Sequence, residues 1–436
     1  MTEIITILEA LSPRLSTTAL NHLGLIIEAT LSMTGRITML GMSRWTEKGG
    51  SYRTIQRFFK ETHQWAELRW LLIKSQINEK CVGTWILIGD EVVVTKSGKK
   101  THGLGRFFSS IQNQAVPGLC FINISLLHVE SRESYPLLAE QLLKKKVQET
   151  APKKVKEKRK PGRPKGSKNK NRTEVELSAF QLQLQGCIRQ VLGLIGCTLT
   201  MNYFAYDGAL GHNAGLQMVK QLGLHLVSKL RHDSTLYFPF TGEYSGRGKP
   251  RKYGERLTVE TLPEENLQER TVKKDIETSI YQVQVWHENF PDLLNVAVIV
   301  KRNLKTGRVA KVLLFSDDLD LSYDKLIDYY RLRFQIEFNF RDAKQYWGLE
   351  DFMNIKETQV ANAANFSLFM VTFSQLLLPR METLGQKSIL DLKTTFRARK
   401  YTRRIIKSLS LNAEEFLMDD KIFQAAEIGK IHADAL

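Results

Sequence analysis

The sequence predicts an α/β protein: an N-terminal helical domain, then a mixed core interrupted by a mainly β insertion. Three observations lead there. Over residues 1–77 apolar side chains recur at three-to-four spacing (Ile4, Ile5, Leu8, Leu11, then Leu23, Ile26, Ile27, Leu31), the period of helices with one buried face. β-branched runs at 84–94, 118–128, 197–207 and 224–230 read as strands, with helical patterns at 175–194 and 209–220 between them. From 231 to 293 the texture changes to short strand-like pieces parted by turns, such as 258–260 and 279–286, before strands return at 294–300 and 310–315. The domains expected are therefore 1–77, 78–231, the insertion 232–293, 294–380 and a helical tail 381–436.

In the first of these, Ser51 opens a helix in which Arg53 and Arg57 stand four apart while Ile55, Phe58 and Phe59 are available to bury. It reads either as a DNA-reading helix or as a basic amphipathic helix that closes the module. The run 84–94 follows, with Asp90 and Glu91 at its middle. Charge inside a buried strand is costly unless paired or metal-bound, so at least one of these acids faces a cation. Residues 96–100 read as a hairpin turn leading into a second strand at 101–108.

Residues 153–172 are nearly all Lys, Arg, Pro, Gly, Ser and Asn, the composition of an exposed, unstructured loop. Within it Arg159-Lys-Pro-Gly-Arg-Pro-Lys-Gly-Ser-Lys resembles an AT-hook, in which Arg163 would meet the negative potential of a narrow A·T minor groove. A plain basic linker remains the other reading. Asp207 ends the run 197–207 just before Gly208, as a site acid at a strand end or as an ordinary N-cap. Arg247, Lys249 and Arg251 form a second basic, glycine-rich loop suited to phosphates. It lacks GxxxxGK[ST] spacing, so no nucleotide cofactor is expected.

The stretch 328–347, read at about 100° per residue, puts Tyr330, Arg333, Glu337 and Lys344 on one stripe. Tyr329, Leu332, Ile336, Phe340, Ala343 and Trp347 fall on another, so one helix can be anchored in a core while presenting a carboxylate among cations. A surface helix with solvated ion pairs has the same spacing. The order Tyr330, Arg333, Glu337, Lys344 resembles the Tyr-Arg-Glu-Lys motif of cut-and-paste bacterial insertion-sequence transposases of the family-four-like group. The resemblance implies a DDE enzyme with an RNase H-like core. Asp90, Asp207 and Glu337 would then hold two Mg²⁺ or Mn²⁺ ions, and Tyr330, Arg333 and Lys344 would lie along the DNA. It also implies transposon ends and target DNA as partners, and a homodimer in the DNA complex. Asp317, Asp318 and Asp320 are the fallback for the third acid.

Composition agrees with a polyanionic partner. The 436 residues carry a net charge of +17, with 42% hydrophobic and 25% charged residues, enough apolar chain for a large core. The longest apolar run, 366–378, is broken by Ser367, Thr372, Ser374 and Gln375, and no membrane partner is expected. Met1-Thr-Glu-Ile has no cationic leader, and Cys81, Cys120, Cys187 and Cys197 form no CxxC pair, so a cytoplasmic, nucleoid-associated protein with reduced thiols is expected. Two competing readings are a non-enzymatic AT-hook protein and an RNase H-like nuclease without strand transfer.

Overall fold

Ser16, Thr38 and Ser51 each start a helix in the computed structural model, their hydroxyls accepting the backbone N–H of Ala19, Gly41 and Thr54. The structure describes residues 2–46, 49–80, 83–109, 113–144, 171–244, 246, 248–381 and 387–408, with Ile422 and Ala426. The first helices are α1 (Thr2–Leu8), α2 (Thr17–Ser32), α3 (Met39–Trp45), α4 (Tyr52–Lys60) and α5 (Trp65–Lys80). Their spacing-predicted residues Leu23, Ile26, Ile27 and Leu31 are buried, as are Ile55, Phe58 and Phe59.

Strands β1 (Trp85–Thr95), β2 (Gly105–Ser109), β3 (Gln114–His128) and β4 (Glu133–Gln141) follow. The hairpin expected at 96–100 is not formed: β1 pairs antiparallel with β3 along its whole length, and β2 pairs with β3 instead. β4 went unread because Pro136 interrupts it, and the structure places Pro136 where the β3–β4 register shifts.

Helix α6 (Ala179–Ile195) begins with a capping box of Ser178 and Gln181. The strand expected over 197–207 shrinks to β5 (Tyr203–Ala205), and the helix after it starts later, as α7 (Asn213–Lys220). Next come β6 (His225–Leu230), β7 (Leu236–Pro239), β8 (Tyr253–Arg256), β9 (Leu267–Lys273), β10 (Ile276–His287), β11 (Leu293–Asn303) and β12 (Val309–Ser316). Residues 258–260 form no strand. All the strands join one mixed sheet of order β2-β3-β1-β5-β6-β12-β11-β10-β7-β8, with β4 also on β3 and β9 also on β10. β1, β5 and β6 are parallel, and β12 returns antiparallel to β6. This α/β fold with a large mixed sheet is consistent with an RNase H-like domain.

The single helix expected over 328–347 is two: α8 (Tyr323–Leu332) and α9 (Gln335–Gln345). Between them Phe334 N–H bonds to Arg331 O at 3.0 Å and Ile336 N–H to Arg333 O at 3.1 Å, a three-residue step that breaks the four-residue ladder. The predicted apolar stripe survives the break, with Tyr329, Leu332, Ile336, Phe340, Ala343 and Trp347 all buried.

Helix α10 (Glu357–Met381) is long and apolar enough to cross a membrane by length and composition, but 89% of its most apolar window is buried inside the protein. It is a core helix tied by amides. Asn362 accepts Trp65 Nε1–H at 2.8 Å and donates to Phe59 O and Glu61 O, while Asn365 accepts from Arg69 at 2.7 Å. Arg69 is itself fully buried, donates to Leu137 O at 2.9 Å, and burial pushes its pKa down to about 9. Helix α11 (Ile389–Ser408) turns its cations onto α1 and α2: Arg397 donates to Ser32 O, Arg399 pairs with Glu3, and Lys400 and Arg403 pair with Glu28.

Candidate active site

Side chains alternate across a strand, so Asp90 and Glu91 face opposite sides of the sheet. Asp90 points toward the α8–α9 break. There Arg333 Nη1 lies 2.9 Å from Asp90 Oδ2, and its Nη2 lies 3.6 Å from Glu337 Oε1. The guanidinium thus sits between two of the three predicted acids. The α8–α9 break is what places it there: Arg333 is the C-cap of α8, and Glu337 stands in the first turn of α9.

Asp207 reaches the same place through the sheet. β1 and β5 run parallel with Leu87 opposite Phe204 and Ile88 opposite Ala205, and continuing that register brings Asp90 level with Asp207. Asp207 is also an N-cap, its Oδ1 accepting Ala209 N–H at 2.9 Å, as one of the two sequence readings of this residue has it. The electrostatics register the convergence. Burial raises the Asp90 carboxyl to about 6; Arg333 and the Glu91 backbone N–H oppose the rise, and the charges of Asp207 and Glu337 add to it. Tyr330 belongs to the same group, with Arg333 over its ring at 5.8 Å and its hydroxyl pKa raised by burial and by Asp207 and Asp90.

Lys344 is not drawn to these acids. Its Nζ donates to Val93 O at 2.7 Å and pairs with Glu350 at 3.0 Å. Asp317 and Asp318 are engaged at the opposite ends of the parallel strands. Asp317 accepts from Leu226 N–H and lies 3.1 Å from His225 Nδ1, and Asp318 accepts the Tyr203 hydroxyl at 2.6 Å.

Two side chains escaped the sequence reading. Asn123, directly opposite Asp90 on β3, is fully buried, and its Nδ2 has no hydrogen-bond partner among the described residues. An asparagine inside the apolar run Leu119-Cys-Phe-Ile-Asn-Ile was the available signal. Tyr206 is fully buried on the other face beside Glu91, whose carboxyl burial lifts to about 7.

Hard oxygen donors on Asp90, Asp207 and Glu337 suit a divalent cation such as Mg²⁺, and a guanidinium already held between two of them shows that the spot favours positive charge. Among the described residues, however, no three His, Cys, Asp or Glu side chains stand close enough to grip an ion in this conformation.

Of the basic residues singled out, Arg53 and Arg57 are exposed on α4, and Lys249 and Arg251 are exposed, with Arg251 donating to Tyr253 O at 2.9 Å. Arg172 donates to the Tyr253 hydroxyl at 3.2 Å, so the chain leaving 153–172 is anchored beside that second basic loop. Arg163 and Arg247 lie outside the described residues.

No curated protein matches the chain. A family model, DDE superfamily endonuclease, matches residues 10–288, which include Asp90, Asp207 and the strands that carry them. A match over more than half of the chain, on a mixed sheet that brings two acids level on neighbouring strands, makes the protein a member of the DDE endonuclease superfamily.

Proposed function

We propose that the chain is a transposase that cuts an insertion sequence out of DNA and joins it to a target, with Asp90, Asp207 and Glu337 as the metal-holding acids. The observation that carries this is Arg333 bridging Asp90 and Glu337 while Asp207 stands level with Asp90. Mg²⁺ or Mn²⁺ ions held there would activate water or a 3′-hydroxyl and stabilise the leaving oxygen at phosphorus. On this reading Arg333 would pass from Asp90 to a phosphate oxygen as DNA enters, exchanging one charge-assisted hydrogen bond for another. Tyr330 lines the approach to the acids. Arg53, Arg57, Lys249, Arg251 and the basic segment around Arg163 supply phosphate contacts, and two copies of the chain would hold the two element ends.

Purified protein incubated with its own element ends is expected to give nicked and joined products in Mg²⁺ and none in EDTA. Since the matched family is one of endonucleases, cutting without rejoining is the reading to separate. Cleaved ends that never appear covalently joined to a target plasmid would select it.

A further inference from the structure

Between Asp207 and Glu337 in the sequence, two hairpin tips meet. The β9–β10 tip (residues 272–276) and the β11–β12 tip (residues 301–309) are joined by Leu304 N–H to Asp275 O at 2.8 Å and by Lys305 to Asp275 at 2.6 Å. Together they carry Lys273, Lys274, Lys301, Arg302, Lys305 and Arg308 against a single acid, Asp275. All six cations are exposed. Apart from Lys305, none is within ion-pair distance of a carboxylate among the described residues; Glu277, opposite Arg302 in register, turns to Arg270 at 3.9 Å. Set among the cations are four exposed apolar side chains, Val272 (59%), Ile276 (40%), Leu304 (51%) and Val309 (46%). Solvated charge alone gives no reason for that apolar surface.

The sheet fixes where this patch points. β6 runs parallel to β5 and ends at Leu230, opposite Leu313 of β12. β12 starts at Val309, so its first four residues extend past β6 on the edge where Asp207 stands, by about 13 Å at roughly 3.3 Å per residue. From β5 to β11 or β10 is three or four strand spacings, about 14–19 Å. For a duplex laid across the strand ends, with the tips rising beside it, that lateral span equals on the order of five base-pair steps of B-DNA at about 3.4 Å each.

We propose that this twin-hairpin tip is a duplex-DNA grip, holding the backbone of the same DNA molecule about five base pairs from the phosphate that the acids attack. The cations meet phosphates, and the apolar side chains meet sugar faces in the groove. The proposal rests on the reading of Asp90, Asp207 and Glu337 as the cutting site, and extends it to a surface that none of the sequence motifs marks.

The test is equilibrium binding by fluorescence anisotropy to a labelled 30-base-pair random-sequence duplex, in EDTA, over a salt series. It compares the full chain with Lys274→Gln/Arg302→Gln/Arg308→Gln and with a control that neutralises exposed Lys74, Arg189 and Lys325. The tip variant is expected to bind at least tenfold more weakly at about 0.1 M salt. Its slope of log affinity against log salt should be shallower by about 0.9 for each phosphate that is no longer neutralised. An unchanged slope, or a weakening equalled by the control, overturns the grip while leaving metal-dependent cleavage by the unaltered chain as a separate readout of the cutting site. If the unaltered chain binds no duplex at all, both readings fall. Hydroxyl-radical footprinting on a cleavable end adds a positional check, since the protection missing from the tip variant should centre about five base pairs from the cut.

Discussion

Asp90 and Glu91 are adjacent in the chain yet serve different surroundings. One faces Arg333 and Glu337, the other is half-buried beside Tyr206. Burial lifts both carboxyls, to about 6 and about 7, whereas an unfolded chain holds them near 4. The folded state therefore keeps protons that the unfolded state has lost. Stability from this pair is full below about pH 4 and declines as pH rises through 6 and 7. Glu91→Gln is expected to raise the melting temperature of the metal-free protein by a few degrees at pH 8, to leave it nearly unchanged at pH 4, and to preserve cleavage. Calorimetry at the two pH values checks it, and equal shifts at both would assign the effect to packing. Arg333→Gln removes the cation between Asp90 and Glu337. DNA-free protein should then bind Mn²⁺ several-fold more tightly in an electron-spin titration while binding DNA less well. Unchanged Mn²⁺ affinity would show that the guanidinium does not compete for the site. An acid in a β-branched run is anomalous, which made the pair legible, but the residues alone did not say which neighbour turns toward a cation; the resemblance named Asp90, and Asp90 is the one that faces Arg333.

At the scale of elements, the stretch 323–345 keeps its charged and its apolar side chains on separate faces despite its break. Arg333 and Phe334 hold right-handed helical dihedrals, so the change from one helix to two leaves no mark on the apolar spacing from which the stretch was read. Glu337 has 42% of its side chain exposed, and Glu337→Gln should leave folding and DNA affinity intact while abolishing metal-dependent cleavage. Its neighbour Ile336 is fully buried, and Ile336→Asp should cost several kcal/mol and unfold or aggregate the chain. Circular dichroism melts and cleavage gels on the pair decide it, and a Glu337→Gln protein that still cuts at the normal rate would remove this helix from the site. The strands teach a related lesson. Alternation located β1, β2 and β3, but pairing is a long-range matter, so the partner of β1 was misassigned to the nearest strand in sequence. β4 was lost because a proline tolerated at a register shift reads, locally, as a breaker.

Across the described residues, positive charge is spread over α4, the loop around Lys249 and Arg251, and the paired hairpin tips, while Arg397, Arg399, Lys400 and Arg403 of α11 are spent on Ser32, Glu3 and Glu28. The formal charge of +17 was readable from composition, but which cations are free was not, because that depends on acids hundreds of residues away. Arg163→Ala is expected to weaken binding to A·T-rich duplex more than to G·C-rich duplex, and equal losses would reduce that segment to an electrostatic linker. The order in which the pieces are synthesised also matters. The third acid follows Asp207 by 130 residues, about 7–26 s of translation at roughly 5–20 residues per second. Helix α10, on which α4 packs, is made later still, so a growing chain completes its core only after its full set of acids. Polypeptides cut short before Glu337 would also lack α10, whose Asn362 and Asn365 tie α4 and α5 into the core, so they are expected to be cleared as unfolded chains rather than to compete with the intact protein for DNA.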